Sequence, residues 1–264
     1  MRIDVYLTER GYAPSRQRAR VLIESGNVTV DGKAVVKPSW QIEGEEHEVR
    51  VTDDLPYVGR GGLKLEAALD SFGVSVSGIS ALDIGASTGG FTDCLLQRGA
   101  SSVCAVDAGA GQLAKKLIDD SRVRSLEHTN AREITLEQVG GVPVDLIVMD
   151  VSFISATYIL PRFPSLLKKE GSAICLIKPQ FEVGKSLLGK GGIVKSPRAH
   201  RYAVERVLSS GAALGLVPVG LIASPIVGGD GNREFLVQFV NGGDTGTAVS
   251  ERRIAEVTRE EIKC

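Results

Sequence analysis

Four charged residues stand where chemistry could be done: Lys64, Asp150, Lys178 and Glu234. Asp150 closes the apolar run DLIVMD, and Lys178 closes ICLIK just before Pro179. Glu234 opens EFLVQFV, and Lys64 lies early in GLKLEAALDSFG. If the runs are strands of one parallel sheet with an antiparallel last strand, Asp150, Lys178 and Glu234 share its carboxyl edge. A helix feeding the first strand starts near that same edge, which brings Lys64 there. Two ammonium groups and two carboxylates so gathered would form a site for handling a proton. Taken singly, each could be a solvated charge at the end of an element, and for Lys64 alone that is the better reading. Lys178 is expected to be partly buried after ICLI, and a buried amine needs a partner. Asp150 and Glu234 are its natural ones.

A glycine-rich turn lies beside this edge. The strand ALDIGA runs into Asp83-Ile84-Gly85-Ala86-Ser87-Thr88-Gly89-Gly90. At the carboxyl edge of a doubly wound sheet such glycines let a ligand approach the backbone. The following strand ends in Asp107, roughly 20 residues on, where an acid can bind ribose hydroxyls. The turn fits a dinucleotide fingerprint poorly, because Ser87 stands where the second glycine belongs. Asp83 would repel a pyrophosphate but can receive an ammonium, directly or through water. That favours S-adenosylmethionine over a nicotinamide dinucleotide.

The elements around these residues fall into two groups. Residues 1–52 read as a small α+β module: a helical turn at Tyr6-Leu7, a helix SRQRARVLIES capped by Ser15, and a hairpin NVTV-Asp31-Gly32-KAVV. A short strand HEVRV follows, and residues 53–58, beginning Asp53-Asp54-Leu55-Pro56, form a linker. Residues 59–242 alternate strands (ALDIGA, SVCAVDA, VRSLEH, DLIVMDVS, SAICLIKP, VPVGLIAS, EFLVQFV) with helices. The expected helices include FTDCLLQRG, GQLAKKLIDD, SATYILPRFPSLLKK and HRYAVERVLSSGAAL. This is the pattern of a Rossmann-like, doubly wound α/β sheet. The loop before EFLVQFV has no room for a helix, so the last strand is antiparallel. Residues 243–264 form a polar tail that turns helical from Ile254 to Ile262.

Composition excludes several classes. The chain has 264 residues, 43% hydrophobic and 24% charged, with a net charge of −1. A globular core is available, and bulk charge does not point to a polyanion. Cys94, Cys104, Cys175 and Cys264 make no metal spacing with His47, His128 and His200, so no metal is expected. Reduced thiols and a charged N-terminus fit a cytoplasmic protein. No apolar run reaches the roughly 20 residues of a membrane span, and the sequence carries no signal for an oligomeric state.

Methyl transfer from a sulfonium needs mostly positioning, whereas a ribose hydroxyl needs a base or a cation for its oxygen. The motifs DIGASTGGF, VMDVSFIS, LIKPQFE and NREFLVQF, with Lys64 in RGGLKL, resemble the FtsJ-like ribose 2'-O-methyltransferases. SRQRARVLIESGNVTVDGKAVVKPS resembles the RNA-binding module named after ribosomal protein S-four. Together they are similar to the TlyA family, whose members carry the names haemolysin and ribosomal RNA 2'-O-methyltransferase. The resemblance implies a Lys64-Asp150-Lys178-Glu234 catalytic tetrad. It implies S-adenosylmethionine over Asp83, Gly85, Ala86, Ser87, Gly89 and Gly90, with Asp107 at the ribose and Asn130 at the adenine. It also implies cytidine in small- and large-subunit ribosomal RNA as the acceptor.

For RNA contacts the basic residues of the small module are the candidates: Arg2, Arg10, Arg16, Arg18, Arg20 and Lys37. Arg60, Lys185 and Lys190 flank the expected site, the two lysines in a glycine-rich stretch up to Lys195 that reads as a mobile loop. Two rival readings are a membrane-lytic haemolysin and an inactive RNA-binding assembly factor. The absence of an amphipathic basic helix argues against the first, and the intact tetrad argues against the second.

Overall fold

The computed structural model describes every residue except 14, 45–46, 53–54, 229–230 and 260–264. The chain divides into two compact units, Met1–Arg60 and Gly61–Cys264. In the first, α1 (Ile3–Glu9) and α2 (Arg16–Glu24) pack on a three-stranded antiparallel sheet of β1 (Val28–Val30), β2 (Lys33–Ala34) and β3 (Val49–Val51). Ser15 caps α2 by accepting from the Arg18 amide at 3.1 Å. Asp31 and Gly32 both take positive φ, as a tight hairpin demands. The core of this unit gathers Ile3, Leu7, Leu22, Ile23 and Val28, all essentially out of water.

The second unit is built on seven strands in the order β6-β5-β4-β7-β8-β10-β9. After α3 (Gly61–Phe72) come β4 (Ser80–Ile84), α4 (Gly90–Gln97), β5 (Ser102–Val106), α5 (Lys115–Ile118) and β6 (Val123–Leu126). The chain then returns to the other side of β4 with β7 (Val144–Met149), α6 (Phe163–Leu166) and β8 (Leu167–Ile177). It closes with α7 (Pro179–Glu182), α8 (Pro197–Ala212), β9 (Leu216–Ala223), β10 (Phe235–Asn241) and α9 (Glu251–Arg259). β4 to β8 run parallel, and β10 is antiparallel to both β8 and β9. The order reverses at β4, so the switch point lies between β4 and its neighbours, where ligands bind in such sheets. The central strands β4, β5 and β7 are buried almost end to end, as parallel strands covered on both faces must be, whereas the edge strand β6 is not.

Several local expectations need correction. The helix expected over SATYILPRFPSLLKK is two 3-10 turns, Ala156–Tyr158 and Leu160–Arg162, followed by the short α6. Pro161 and Pro164 lack the amide protons a continuous helix needs. Leu167 to Lys169 then extend β8 backwards instead of ending a helix. GQLAKKLIDD forms only the single turn α5. KAVV pairs over Lys33–Ala34 alone. The tail helix starts earlier than expected, at Glu251, and Ile262 lies outside the described residues, as do Pro14, Asp53, Asp54 and Cys264. Cys94, Cys104 and Cys175 are buried free thiols, and burial pushes Cys104 up to about 11, which keeps it unreactive.

Candidate active site

The sheet register carries the tetrad residues to one edge. Phe235 faces Ile177 across β10 and β8, so Glu234 and Lys178 are the next residues on each strand. Asp150 follows Met149 at the end of β7, beside β8. Lys64 lies in the first turn of α3, whose opening Gly61 has its would-be Cβ position 3.7 Å from Asp150 Oδ2.

The four charges form two pairs. Lys64 Nζ donates to Glu234 Oε2 at 2.5 Å, with the lysine side chain 8% and the glutamate 2% exposed. Lys178 Nζ lies 2.6 Å from Asp150 Oδ1. That contact is an ion pair by distance but is out of line for a hydrogen bond, since Asp150 Oδ1 is buried without a hydrogen-bond partner among the described residues. The aligned hydrogen bond from Lys178 Nζ goes to Ser152 Oγ at 2.7 Å. The partnership expected between Glu234 and Lys178 is thus replaced by one between Glu234 and Lys64. Lys64, for which a solvated charge is the better reading only when it is taken singly, is buried at the edge. Glu234 is held by its surroundings too. A Cβ on Gly228 would stand 2.5 Å from Glu234 Oε1, so a side chain there would displace the carboxylate. Buried Asn232 accepts from the Val194 amide and donates to the Gly192 carbonyl. The lysine-rich stretch expected to be mobile consequently has two 3-10 turns and an anchor on the entry to β10.

Beside the tetrad lies a cavity of about 540 Å³. Gly85, Ser87, Asp107, Asn130 and Asp150 line it, together with Gln112, Arg132, Ser152 and Phe153. Asp83, Ala86, Gly89 and Gly90 do not line it; they shape the turn below. Gly85 has φ +86°, and a Cβ there would collide with the Asp150 carbonyl oxygen. The turn's close approach to β7 therefore requires glycine. Asp107 accepts from the Ser87 amide through Oδ2 and from the Gly109 amide through Oδ1, each at 2.7 Å. A carboxylate offers about four lone-pair sites, so ribose hydroxyls can still be received. Exposed Asn130 accepts from the Arg132 amide and donates to Glu133.

Asp83 is fully buried, with Oδ2 accepting from Thr92 Oγ1 at 2.6 Å and Oδ1 unpartnered among the described residues. Burial pushes its carboxyl up to about 7; the Thr92 hydroxyl opposes the rise, and the charges of Asp150 and Asp107 add to it. An orphaned buried carboxylate oxygen below a cavity lined by two further acids, Asp107 and Asp150, suits a cationic ligand. The ammonium and sulfonium of S-adenosylmethionine fit that demand, and its ribose fits Asp107. Gln112, which accepts from Ser87 Oγ, and Ser152 carry no signal in the sequence that would have singled them out.

The residues expected to contact RNA in the first unit are largely engaged. Arg2 and Arg16 bond the two oxygens of fully buried Asp4. Burial pushes the Asp4 carboxyl up, but the two guanidiniums hold it below the usual carboxylate range. Arg10 lies over the Tyr6 ring, Arg18 donates to the Tyr57 carbonyl, and Arg60 donates to the Glu24 carbonyl. Arg20, Lys37, Lys185 and Lys190 are exposed. Phe153, on the cavity wall, is 92% exposed at φ +66° and packs its ring 5.4 Å from that of Phe181. Among the described residues no cluster could hold a metal ion, and no helix is long and apolar enough to cross a membrane.

Comparison with known proteins gives the same division of the chain. The FtsJ-like methyltransferase profile matches residues 57–240, and the S4 domain profile matches residues 1–49. The 16S/23S rRNA (cytidine-2'-O)-methyltransferase TlyA of Mycobacterium tuberculosis is 45% identical over 89% of this chain and 88% of its own. Hemolysin A of Brachyspira hyodysenteriae is 41% identical over 91% of this chain and 100% of its own. A solved structure from Streptococcus thermophilus, described as a candidate hemolysin, superposes with a TM-score of 0.77 at 39% identity, covering 98% of this chain and 94% of that one.

Two outcomes follow from the cavity and its floor. Gly85→Ala forces the turn off Asp150 and is expected to lower stability by about 2–3 kcal/mol in chemical denaturation, with loss of cofactor binding in calorimetry. A cation bound in the cavity favours ionised Asp83, so binding releases a proton whenever the free carboxyl holds one. Cofactor affinity should therefore rise with pH up to about 7 and level off above it. Asp83→Asn should bind more weakly and lose this dependence in calorimetric titrations across that range.

Proposed function

The chain belongs to the FtsJ-like methyltransferase family and carries an S4 domain at its N-terminal end, and we propose that it methylates a ribose 2'-hydroxyl of ribosomal RNA from S-adenosylmethionine. Residues 1–52 are the RNA-binding module and 59–242 the methyl-transfer domain in this reading. One observation carries it: two Lys–acid ion pairs at the carboxyl edge, with Asp150 forming part of the cofactor cavity wall.

S-adenosylmethionine supplies an electrophilic methyl group on a positively charged sulfur. Held by Asp83, Asp107 and Asn130, it would supply that methyl group to the acceptor oxygen, with the carbon–sulfur electron pair left on sulfur. Lys178, an ammonium paired with Asp150 at rest, must first release a proton to solvent; the freed amine then takes the hydroxyl proton and ends the step as an ammonium beside Asp150 again. Lys64 and Glu234, paired and almost dry, hold a fixed charge pattern around the oxygen without having to reorganise during reaction. Asp107 and Asn130 are the residues for the ribose and adenine of the cofactor, and Asp83 answers its positive charge.

Cytidine is the proposed acceptor nucleoside, as in the mycobacterial relative's name, within assembled subunits or their RNA in the cytoplasm. Arg20, Lys37, Lys185 and Lys190 are the exposed cations best placed for phosphates. The exposed ring of Phe153 offers a stacking surface to an unpaired base at the cavity mouth. A lytic reading finds no spanning helix among the described residues, and it leaves the ion-paired site without a purpose.

The direct experiment incubates the protein with cofactor and ribosomal subunits and maps ribose methylation by mass spectrometry. Methylated cytidine is expected; its absence on both subunits and on naked RNA, with cofactor bound, overturns the proposal. Lys178→Ala should lower the methylation rate by about a hundredfold while cofactor affinity in calorimetry stays within about threefold. Phe153→Ala should raise the KM for RNA about tenfold, the weight of one lost stacking contact.

A further inference from the structure

Lys178 makes its two contacts differently. The Asp150 carboxylate oxygen is near, at 2.6 Å, but misaligned. The Ser152 hydroxyl is aligned, at 2.7 Å. Charge attraction from Asp150 falls off slowly with direction, whereas a hydrogen bond weakens steeply away from linearity. An amine on a four-carbon stem is a rotor with three positions. What fixes the rotor is the directional contact, and that contact is Ser152.

Ser152 sits on the exposed loop after β7 and also lines the cofactor cavity. The loop is clamped from beneath. Glu182, 2% exposed, accepts from the Ala156 amide through Oε1 at 2.7 Å and from Ser155 Oγ through Oε2 at 2.5 Å. Glu182 ends α7, the short helix that begins directly after Lys178. Arg206 from α8 bonds the Glu182 carbonyl at 2.6 Å. A closed circuit results. Lys178 leads through α7 to Glu182, Glu182 grips Ser155 and Ala156, and that loop returns Ser152 to the Lys178 amine. Neither Ser152 nor Glu182 has a part in the mechanism above, and a buried carboxylate with both oxygens committed to one loop calls for a role.

We propose that Ser152 is the positioning residue that aims the Lys178 amine at the acceptor oxygen, and that Glu182 holds Ser152 in register through the loop between them. With one position of the amine tied to Ser152 and its flank set against Asp150, the remaining position is the one left for the acceptor hydroxyl. The inference rests on the proposed methyl transfer, and its test separates the two.

The experiment measures steady-state methylation by the full chain on ribosomal subunits for Ser152→Ala, Ser152→Thr, Glu182→Gln and Lys178→Ala. Ser152→Ala should lower kcat about tenfold, the effect of losing one hydrogen bond to a charged group, with the KM for RNA unchanged within about twofold. Ser152→Thr restores the hydroxyl and should return kcat to within about threefold of the parent. Glu182→Gln should lower kcat in the same sense as Ser152→Ala. Because Ser152 is exposed, its variants stay folded even if Glu182→Gln does not, and they then decide the matter. An unchanged kcat in Ser152→Ala overturns the inference, as does a loss confined to KM or a Thr variant no better than Ala. If Lys178→Ala itself methylates at the parent rate, the proposed function of the site falls, and with it the inference.

Discussion

Lys64 and Glu234 stand 170 residues apart in the chain and 2.5 Å apart in the fold, both nearly out of water. Neither charge could be buried there alone. Removing one partner of such a pair leaves an uncompensated charge, at a cost of about 3–5 kcal/mol. The pair therefore ties the start of α3 to the start of β10, and it forces the antiparallel last strand to begin at the carboxyl edge. Every other feature of the site takes its place against that fixed point. Gly228 leaves room for the carboxylate, Asn232 anchors the neighbouring loop, and Lys178 meets Asp150 one strand away.

The second constraint is steric. β4 and β7 end side by side, and the turn after β4 must pass close to the Asp150 backbone. Gly85 permits this, with a left-handed backbone and no side chain to strike the carbonyl. The same turn places Asp83 below the cavity with one oxygen unanswered. Burial that would be a defect in a purely structural carboxylate becomes, in the proposed function, a means of recognising a cation. Cofactor side and acceptor side are thus joined through a single residue: the backbone of Asp150 bounds the turn, and its side chain faces Lys178.

Much of this was legible in the sequence because strand ends are legible. Short apolar runs ending in Asp150 and Lys178, and one beginning with Glu234, fix an edge once the sheet is taken as parallel with a reversed last strand. The glycine turn with Asp83 and Asp107 was readable for the same reason. What a one-dimensional pattern does not carry is how charges pair. It gathered Lys64 only by its company and shared Glu234 with Lys178, whereas packing buries Lys64 and gives Glu234 to it. It read a long helix through Pro161 and Pro164, where missing amide protons break the chain into short turns. Ser152 and Glu182 were equally silent, since a serine in a loop and a glutamate in a one-turn helix have no periodicity to betray them. In the first unit the arginines were visible as a basic face, but buried Asp4, which holds Arg2 and Arg16, was not.

The central claim is that a neutral amine at position 178 takes the proton of the acceptor hydroxyl. Single-turnover methylation of ribosomal subunits by Lys178→Arg tests it most directly, because a guanidinium keeps the positive charge and cannot act as a base. A rate about a hundredfold below the parent, close to that of Lys178→Ala, is the predicted result. A Lys178→Arg rate within about threefold of the parent would contradict the claim and leave Lys178 only the task of steadying the oxygen's charge.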